Sequence, residues 1–161
     1  IGVSNYSIKK LEEMKSYARI PAAVNQIEMH PFFQEKALRE YARTNNIAIT
    51  AYSPLASCDN PDRPENMPSL LKNEIINNIA KEHNATPAQI VLAWEMESGC
   101  AVIPKSTTEK RIKENFGSLY INLTEEDISA INGLDAGMKT VTAKFFIDPG
   151  KGYTEETIWD L

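Results

Sequence analysis

Hydrophobic positions in the first fifty residues follow two alternating patterns. The runs at residues 1–3, 22–27 and 47–52 are mostly apolar, as strands are when both faces of a sheet are covered. Between them the spacing turns helical. Ile8, Leu11, Met14 and Ala18 fall on one side of a helix that Ser7 can cap and Pro21 would stop. Ala37, Leu38 and Tyr41 point inward from a helix predicted over residues 34–44. The strand starts lie roughly 23 to 24 residues apart, and strand–helix alternation at a steady interval indicates βα units on a parallel sheet. Residues 28–31, Glu-Met-His-Pro, leave the second strand as an extended loop, because a residue before proline avoids the helical region.

The interval then breaks. Residues 56–68 hold three prolines together with Asp59, Asn60, Asp62 and Asn66, which predicts a long turn-rich loop at the end of the sheet where parallel folds place their sites. A helix follows over residues 70–83, with Leu71, Ile75, Ile76, Ile79 and Ala80 as its apolar side. Thr86-Pro87-Ala88-Gln89 carries a cap, a proline at the first helical position and a glutamine that completes a capping box. The run from Ile90 to Trp94 is apolar nearly all round, so that helix is expected to be buried and to end at Gly99.

A fourth strand, residues 100–103, leads to Pro104-Lys105-Ser106 and a helix expected to begin near Thr107 behind a Ser106–Glu109 capping box. A helix start offers unpaired N–H groups and partial positive charge. With Lys105 before it and Arg111 one turn inside, it suits a phosphate; solvated charges on an ordinary strand–loop–helix are the competing reading. A last helix starts at residues 123–127, with Ile128, Ile131 and Leu134 inward and Gly133 or Gly137 at its end. After Gly137 no period survives. The tail, with Phe145, Phe146, Tyr153 and Trp159, is expected as an irregular segment laid over the domain. The predicted division is therefore 1–137 as one α/β unit and 138–161 as a tail over its mouth.

Composition narrows the function classes. The chain has 161 residues, 42% hydrophobic and 24% charged, a globular balance long enough for one real core. A net charge of −5 argues against nucleic acid as the main partner. No apolar run approaches the roughly 20 residues that span a bilayer, and no signal peptide is evident, so a cytoplasmic protein is expected. The opening on Ile1 rather than Met suggests a fragment or a processed form. Cys58 and Cys100 have neither metal-like spacing nor a paired framework, and reduced thiols are expected.

Candidate chemistry gathers at the strand ends: Ser4-Asn5, Gln26, Tyr52-Ser53 and Lys105-Ser106. In a parallel barrel those ends converge on one mouth. Asn5 and Gln26 can grip a carboxamide, Tyr52 offers a stacking platform, and Lys105, Ser106 and Arg111 suit a phosphate; the set suggests a nicotinamide cofactor. His30 is expected to be structural rather than a general acid–base, and His83 to interact with the last carbonyls of its helix. No metal site is expected, and no GxGxxG, Walker loop, HExxH or CxxC is present.

Five segments in order resemble the aldo-keto reductase family across about residues 1–136. They are Gly2-Val3-Ser4-Asn5, the stretch from Val24 to Pro31, Ala51-Tyr52-Ser53-Pro54-Leu55, Thr86-Pro87-Ala88-Gln89, and the stretch from Ile103 to Phe116. The resemblance implies a (β/α)8 TIM barrel that binds NADP(H) without a Rossmann motif and reduces a small carbonyl substrate, aldehyde or ketone, to the alcohol. It implies that Ser4, Asn5 and Gln26 hold the nicotinamide carboxamide and that Tyr52 stacks on the ring. Ser53, Leu55 and Ser57 would line the pyrophosphate. Lys105, Ser106, Thr108 and Arg111 would take the 2′-phosphate, and Glu114 and Asn115 the adenine. The match begins at the family's fifth strand, so this chain corresponds to strands 5–8. The family's catalytic Asp, Tyr, Lys and His lie in the unmatched half, and no catalytic residue is assigned here. The chain alone is expected to be inactive, with the missing N-terminal half as a partner. A non-catalytic NADP(H)-binding or regulatory protein on the same scaffold is the alternative. Ala56 stands where the family often has Gly, Ala93 where a basic residue often precedes the Trp, and the tail after Gly137 resembles the family poorly.

Overall fold

A computed structural model of the chain describes residues 1–57, 64–142 and 144–160, with the side chain of Phe145 outside that set. Among the described residues four strands form one all-parallel sheet: β1 (Gly2–Ser4), β2 (Val24–Glu28), β3 (Ala48–Tyr52) and β4 (Cys100–Val102), in the order β1-β2-β3-β4. The register sets Ser4 beside Gln26, Gln26 beside Thr50, and Glu28 beside Tyr52. The carboxyl ends of the strands therefore fall at one level, which is what brings distant polar residues together. Helices α1 (Ile8–Lys15) and α2 (Lys36–Thr44) connect the first three strands. Helices α3 (Glu74–Glu82) and α4 (Pro87–Glu97) precede β4, while α5 (Glu109–Gly117) and α6 (Glu125–Asn132) follow it.

Local chemistry explains most of these boundaries. The Ser7 hydroxyl caps α1 by accepting from the Lys10 N–H at 3.1 Å, satisfying one of the free donors of a first turn. Thr86 and Gln89 form the expected capping box, with Pro87 just inside it. A second box joins Thr124 to Asp127 at the start of α6, and His83 Nε2 lies 2.8 Å from the Asp127 carboxylate. The His83 backbone N–H meets Ile79 O at the end of α3, while its side chain reaches across to the neighbouring helix. Gly99 takes φ 81°, the left-handed conformation that turns the chain from α4 into β4.

The core confirms the apolar reading of α4. Ile90, Val91, Leu92 and Trp94 are all fully buried, and at about 1.5–3 kcal/mol for each large side chain this helix anchors the domain. The Trp94 indole donates to Asn132 of α6 at 3.0 Å. Ile76, Ile79 and Ala80 of α3, Ile27 and Met29 of β2 and its exit, and Ile131 of α6 complete the cluster.

Several expectations fail in detail. Helix α1 ends at Lys15, with Ser16 donating back to Glu13 and Met14, so it stops well before Pro21. The region expected as one helix over 70–83 is a short 3-10 turn, Leu70–Lys72, followed by α3, because the Asn73 side chain caps a fresh start. Ile75 therefore faces outward. Ala37 is exposed and Ala42 takes the buried place on α2. Gln34 is not helical. It is fully buried, and its amide donates to Pro31 O and Ile131 O. Thr108, not Ser106, occupies the cap position of α5. The Ser106 hydroxyl accepts from the Thr108 N–H at 3.2 Å, and no Ser106–Glu109 box forms. The expected reduced thiol of Cys58 and much of the loop over 56–68 lie outside the described residues, whereas Cys100 is a free, buried thiol.

The tail is ordered by specific contacts. After two 3-10 turns it forms a short helix, α7 (Glu155–Trp159). Its root is bonded to the turn after β2, through Ala136 and Met138 N–H groups donating to Phe32 O. Its end reaches α1, where the Asp160 carboxylate accepts from the Ser7 hydroxyl and pairs with Lys10 at 3.2 Å.

Candidate functional site

A groove of about 550 Å³ opens at the carboxyl ends of β3 and β4. One wall is the turn Ser53-Pro54-Leu55 with Ser57; the other runs from Ile103 to Ser106 and onto α5 with Arg111, Glu114 and Asn115. Lys105 and Arg111, six positions apart in sequence, face the same space because β4 ends at Val102 and α5 turns back beside it. Both are exposed, and neither makes an ion pair among the described residues. Two unpaired cations, several hydroxyls and the head of a helix give the groove the character of an anion site. Glu114 is a carboxylate on the same wall. It accepts from the Thr86 hydroxyl at 2.7 Å, which ties α5 to the start of α4.

The turn that forms the first wall is strained. Ser53 and Ala56 take φ 50° and 53°, the left-handed region that costs a side-chain-bearing residue energy and tends to persist where a site needs the geometry. Ala56 is also buried. A left-handed φ explains why a glycine would suit that position.

Beside the groove lies a second group at the ends of β1 to β3. The Tyr52 hydroxyl donates to Asn5 Oδ1 at 3.0 Å, and Asn5 holds φ 57°, which asparagine tolerates better than most residues. Its backbone N–H and the Ser4 hydroxyl both donate to Gln26 O at 2.9 Å. Burial pushes the Tyr52 phenol well above its ordinary value, the nearby Glu28 charge adds to this, and the bond to Asn5 opposes it. Tyr52 therefore stays a neutral donor and a flat surface.

The structure thus brings together Ser53, Leu55, Ser57, Lys105, Ser106, Arg111, Glu114 and Asn115 around one groove. It joins Asn5 to Tyr52 by a side-chain bond and Ser4 to Gln26 through the Gln26 carbonyl. Thr108 stands apart, exposed at the cap of α5 and not on the groove wall.

Sequence reasoning missed a buried polar knot at the end of β2. Glu28 and His30 are 3% and 0% exposed. The Glu28 carboxylate accepts from His30 Nε2 at 3.1 Å, from the N–H and hydroxyl of Thr140, and from Val141 N–H at 3.1 Å. Burial alone would raise the Glu28 carboxyl, but the bonds from His30 and Thr140 outweigh it and hold the group below its ordinary value. His30 is therefore structural, as expected, and its partner fastens the tail. The clue was a carboxylate at the end of an otherwise apolar strand. A second missed group is Glu95 in the middle of α4, fully buried, with both oxygens lacking a hydrogen-bond partner among the described residues.

Comparisons with known proteins agree on one family. The model of the Aldo/keto reductase family matches residues 1–136. An aldo/keto reductase of Synechocystis is 43% identical over 99% of this chain and 50% of its own length. The NADPH-dependent codeinone reductase 1-2 of Papaver somniferum is 38% identical over 99% of this chain and 49% of its own. Both alignments run through the tail, whereas the family model stops at residue 136, just before the segment expected to resemble the family poorly. Among solved structures, MGS-M4, an aldo-keto reductase enzyme from a Medee basin deep-sea metagenome library, superposes with a TM-score of 0.78 at 40% identity, covering 86% of this chain and 49% of that one. The chain spans about half the length of the curated relatives it matches.

Proposed function

Since the chain belongs to the Aldo/keto reductase family, we propose that it is the cofactor-holding half of an NADPH-dependent carbonyl reductase, its four strands standing for strands 5–8 of a (β/α)8 barrel. The observation that carries this is the shared groove of Lys105 and Arg111. A 2′-phosphate is the group that distinguishes NADPH from NADH, and two unpaired cations beside hydroxyls fit it. Ser53, Leu55 and Ser57 would face the pyrophosphate. Tyr52, with Asn5, Ser4 and Gln26 at the strand ends, would receive the nicotinamide, and Glu114 and Asn115 the adenine. When bound, the nicotinamide supplies hydride to an aldehyde or ketone; the chain's own residues bind and orient it and keep a neutral phenol against its ring. The division into 1–137 and a tail over the mouth, the missing half-barrel as partner and a cytoplasmic setting belong to the same reading.

Calorimetric titration tests it. NADPH should bind more tightly than NADH, and Lys105→Ala and Arg111→Ala should each weaken NADPH by about tenfold while leaving NADH nearly unchanged, the loss expected for one charge-assisted bond. Equal affinity for the two cofactors would refute the phosphate assignment. No NADPH-dependent reduction of a simple aldehyde is expected from these residues alone; turnover would remove the half-enzyme reading. A non-catalytic NADP(H)-binding protein predicts the same binding, and differs only in staying inactive when the complementary half-barrel is supplied.

A further inference from the structure

A second cavity, of about 360 Å³, lies between the start of α1, the end of β2, the turn that leads into α2 and the tail. Lys139, Glu35, Phe33 and Trp159 line it. The Lys139 ammonium sits 3.7 Å from the centre of the Trp159 ring and 5.1 Å from that of Phe33. It makes no hydrogen bond or ion pair among the described residues. Glu35 enters α2 from a left-handed backbone at φ 46°, and its carboxyl caps nothing. An amine and a carboxyl, each without a bonded partner, thus face one cavity walled by two aromatic rings. Lys139 is partly buried, and an amine that is partly desolvated and unpaired is the form lysine takes when it acts as a nucleophile.

We propose that Lys139 is a covalent capture site for small aromatic aldehydes, with Glu35 as its proton shuttle. The amine nitrogen attacks the aldehyde carbon, and a nitrogen proton passes to the oxygen to give a carbinolamine. Glu35 then protonates the hydroxyl, water leaves, and the C=N bond forms. Loss of a nitrogen proton to Glu35 gives the neutral imine, so one water is released per aldehyde and no oxidant or reductant is consumed. The two rings supply an apolar, flat-walled space for the aldehyde's own ring. Burial lowers Lys139 below an ordinary lysine, against the opposing charges of Glu35, Glu28 and Glu155. Burial likewise raises Glu35, with Lys139 opposing and Asp135 and Glu28 adding to it. Lys9 and Asp160 are the other charges at the cavity wall. The rings favour the ammonium through the cation–π contact, yet lost hydration dominates. The cavity shares Asn5 with the proposed nicotinamide group, but the roles of Lys139 and Glu35 do not rest on that reading.

The test treats the full chain with benzaldehyde and sodium cyanoborohydride, which reduces the imine to a stable secondary amine, and maps adducts by peptide mass spectrometry. Lys139 is expected to label at least tenfold faster at pH 7 than exposed Lys110 or Lys105, and to reach its plateau at lower pH. Glu35→Gln should slow labelling of Lys139 severalfold and leave the other lysines unchanged. The wild-type map needs no variant to fold; Lys139→Arg, which keeps the charge over Trp159, checks that the adduct disappears from the tail peptide. Labelling spread evenly over exposed lysines, or an unchanged Lys139 rate in Glu35→Gln, would overturn the proposal.

Discussion

Replacing Glu28 by Gln isolates the knot that holds the tail. The carboxylate accepts four hydrogen bonds, one from His30, two from Thr140 and one from Val141. A glutamine keeps one acceptor oxygen and turns an NH₂ toward donors, so about two bonds are lost and donors face each other. At about 1.5–3 kcal/mol for a bond to a charged group, the gross loss is about 3–6 kcal/mol. Removing the charge returns part of that, since a buried carboxylate bears a desolvation cost, and the net expectation is about 2–4 kcal/mol. With a urea slope of about 2 kcal/mol per M, the unfolding midpoint falls by about 1–2 M. Hydrogen exchange should accelerate most at residues 138–142 and least in α4, because the break is local before it is global. The pH dependence adds a sign. The folded state holds the Glu28 carboxyl below its ordinary 4.5, so its contribution is complete above about pH 4.5 and is lost as acid moves through the lower folded value. Glu28→Gln should lack that acid limb. A variant within about 0.5 kcal/mol of wild type, typical of a surface substitution, or exchange that rises uniformly, would refute the account.

Glu95→Gln should act in the opposite direction. Burial raises this carboxyl well above its ordinary 4.5, with Arg39 opposing, so the unfolded chain ionises first and stability falls as pH rises from about 4.5 toward the folded value; the variant should be more stable at pH 8 by thermal melt and show a flatter profile. Trp94→Phe removes the indole bond to Asn132 and a ring's volume, and should cost about 1–3 kcal/mol in denaturant unfolding. Asp160→Asn weakens the latch to Ser7 and Lys10. It should expose residues 150–160 to limited proteolysis with a global loss of about 1 kcal/mol or less.

Much of the architecture was legible because local signals agreed with each other. The Ser7 cap, the Thr86–Gln89 box, and the alternation of apolar runs with helical spacing each predicted an element that formed. Where the reading failed, a nearer partner had won. Asn73 capped a fresh helix inside an apolar stretch, and Thr108 rather than Ser106 closed the turn into α5. Gln34 left its helix to serve two carbonyls.

The order of strands and helices, the strand-end placement of Tyr52, Lys105 and their neighbours, and the family were fixed by the amino-acid string, since period, caps and motif spacing are local properties. Only the tertiary structure decided that Lys105 and Arg111 share one groove, that Glu28 grips Thr140 more than a hundred residues away, and that Lys139 and Glu35 line one cavity with two aromatic rings. Those contacts depend on where the tail crosses the sheet, and no spacing along the chain encodes a distance between segments that meet only once the core has packed.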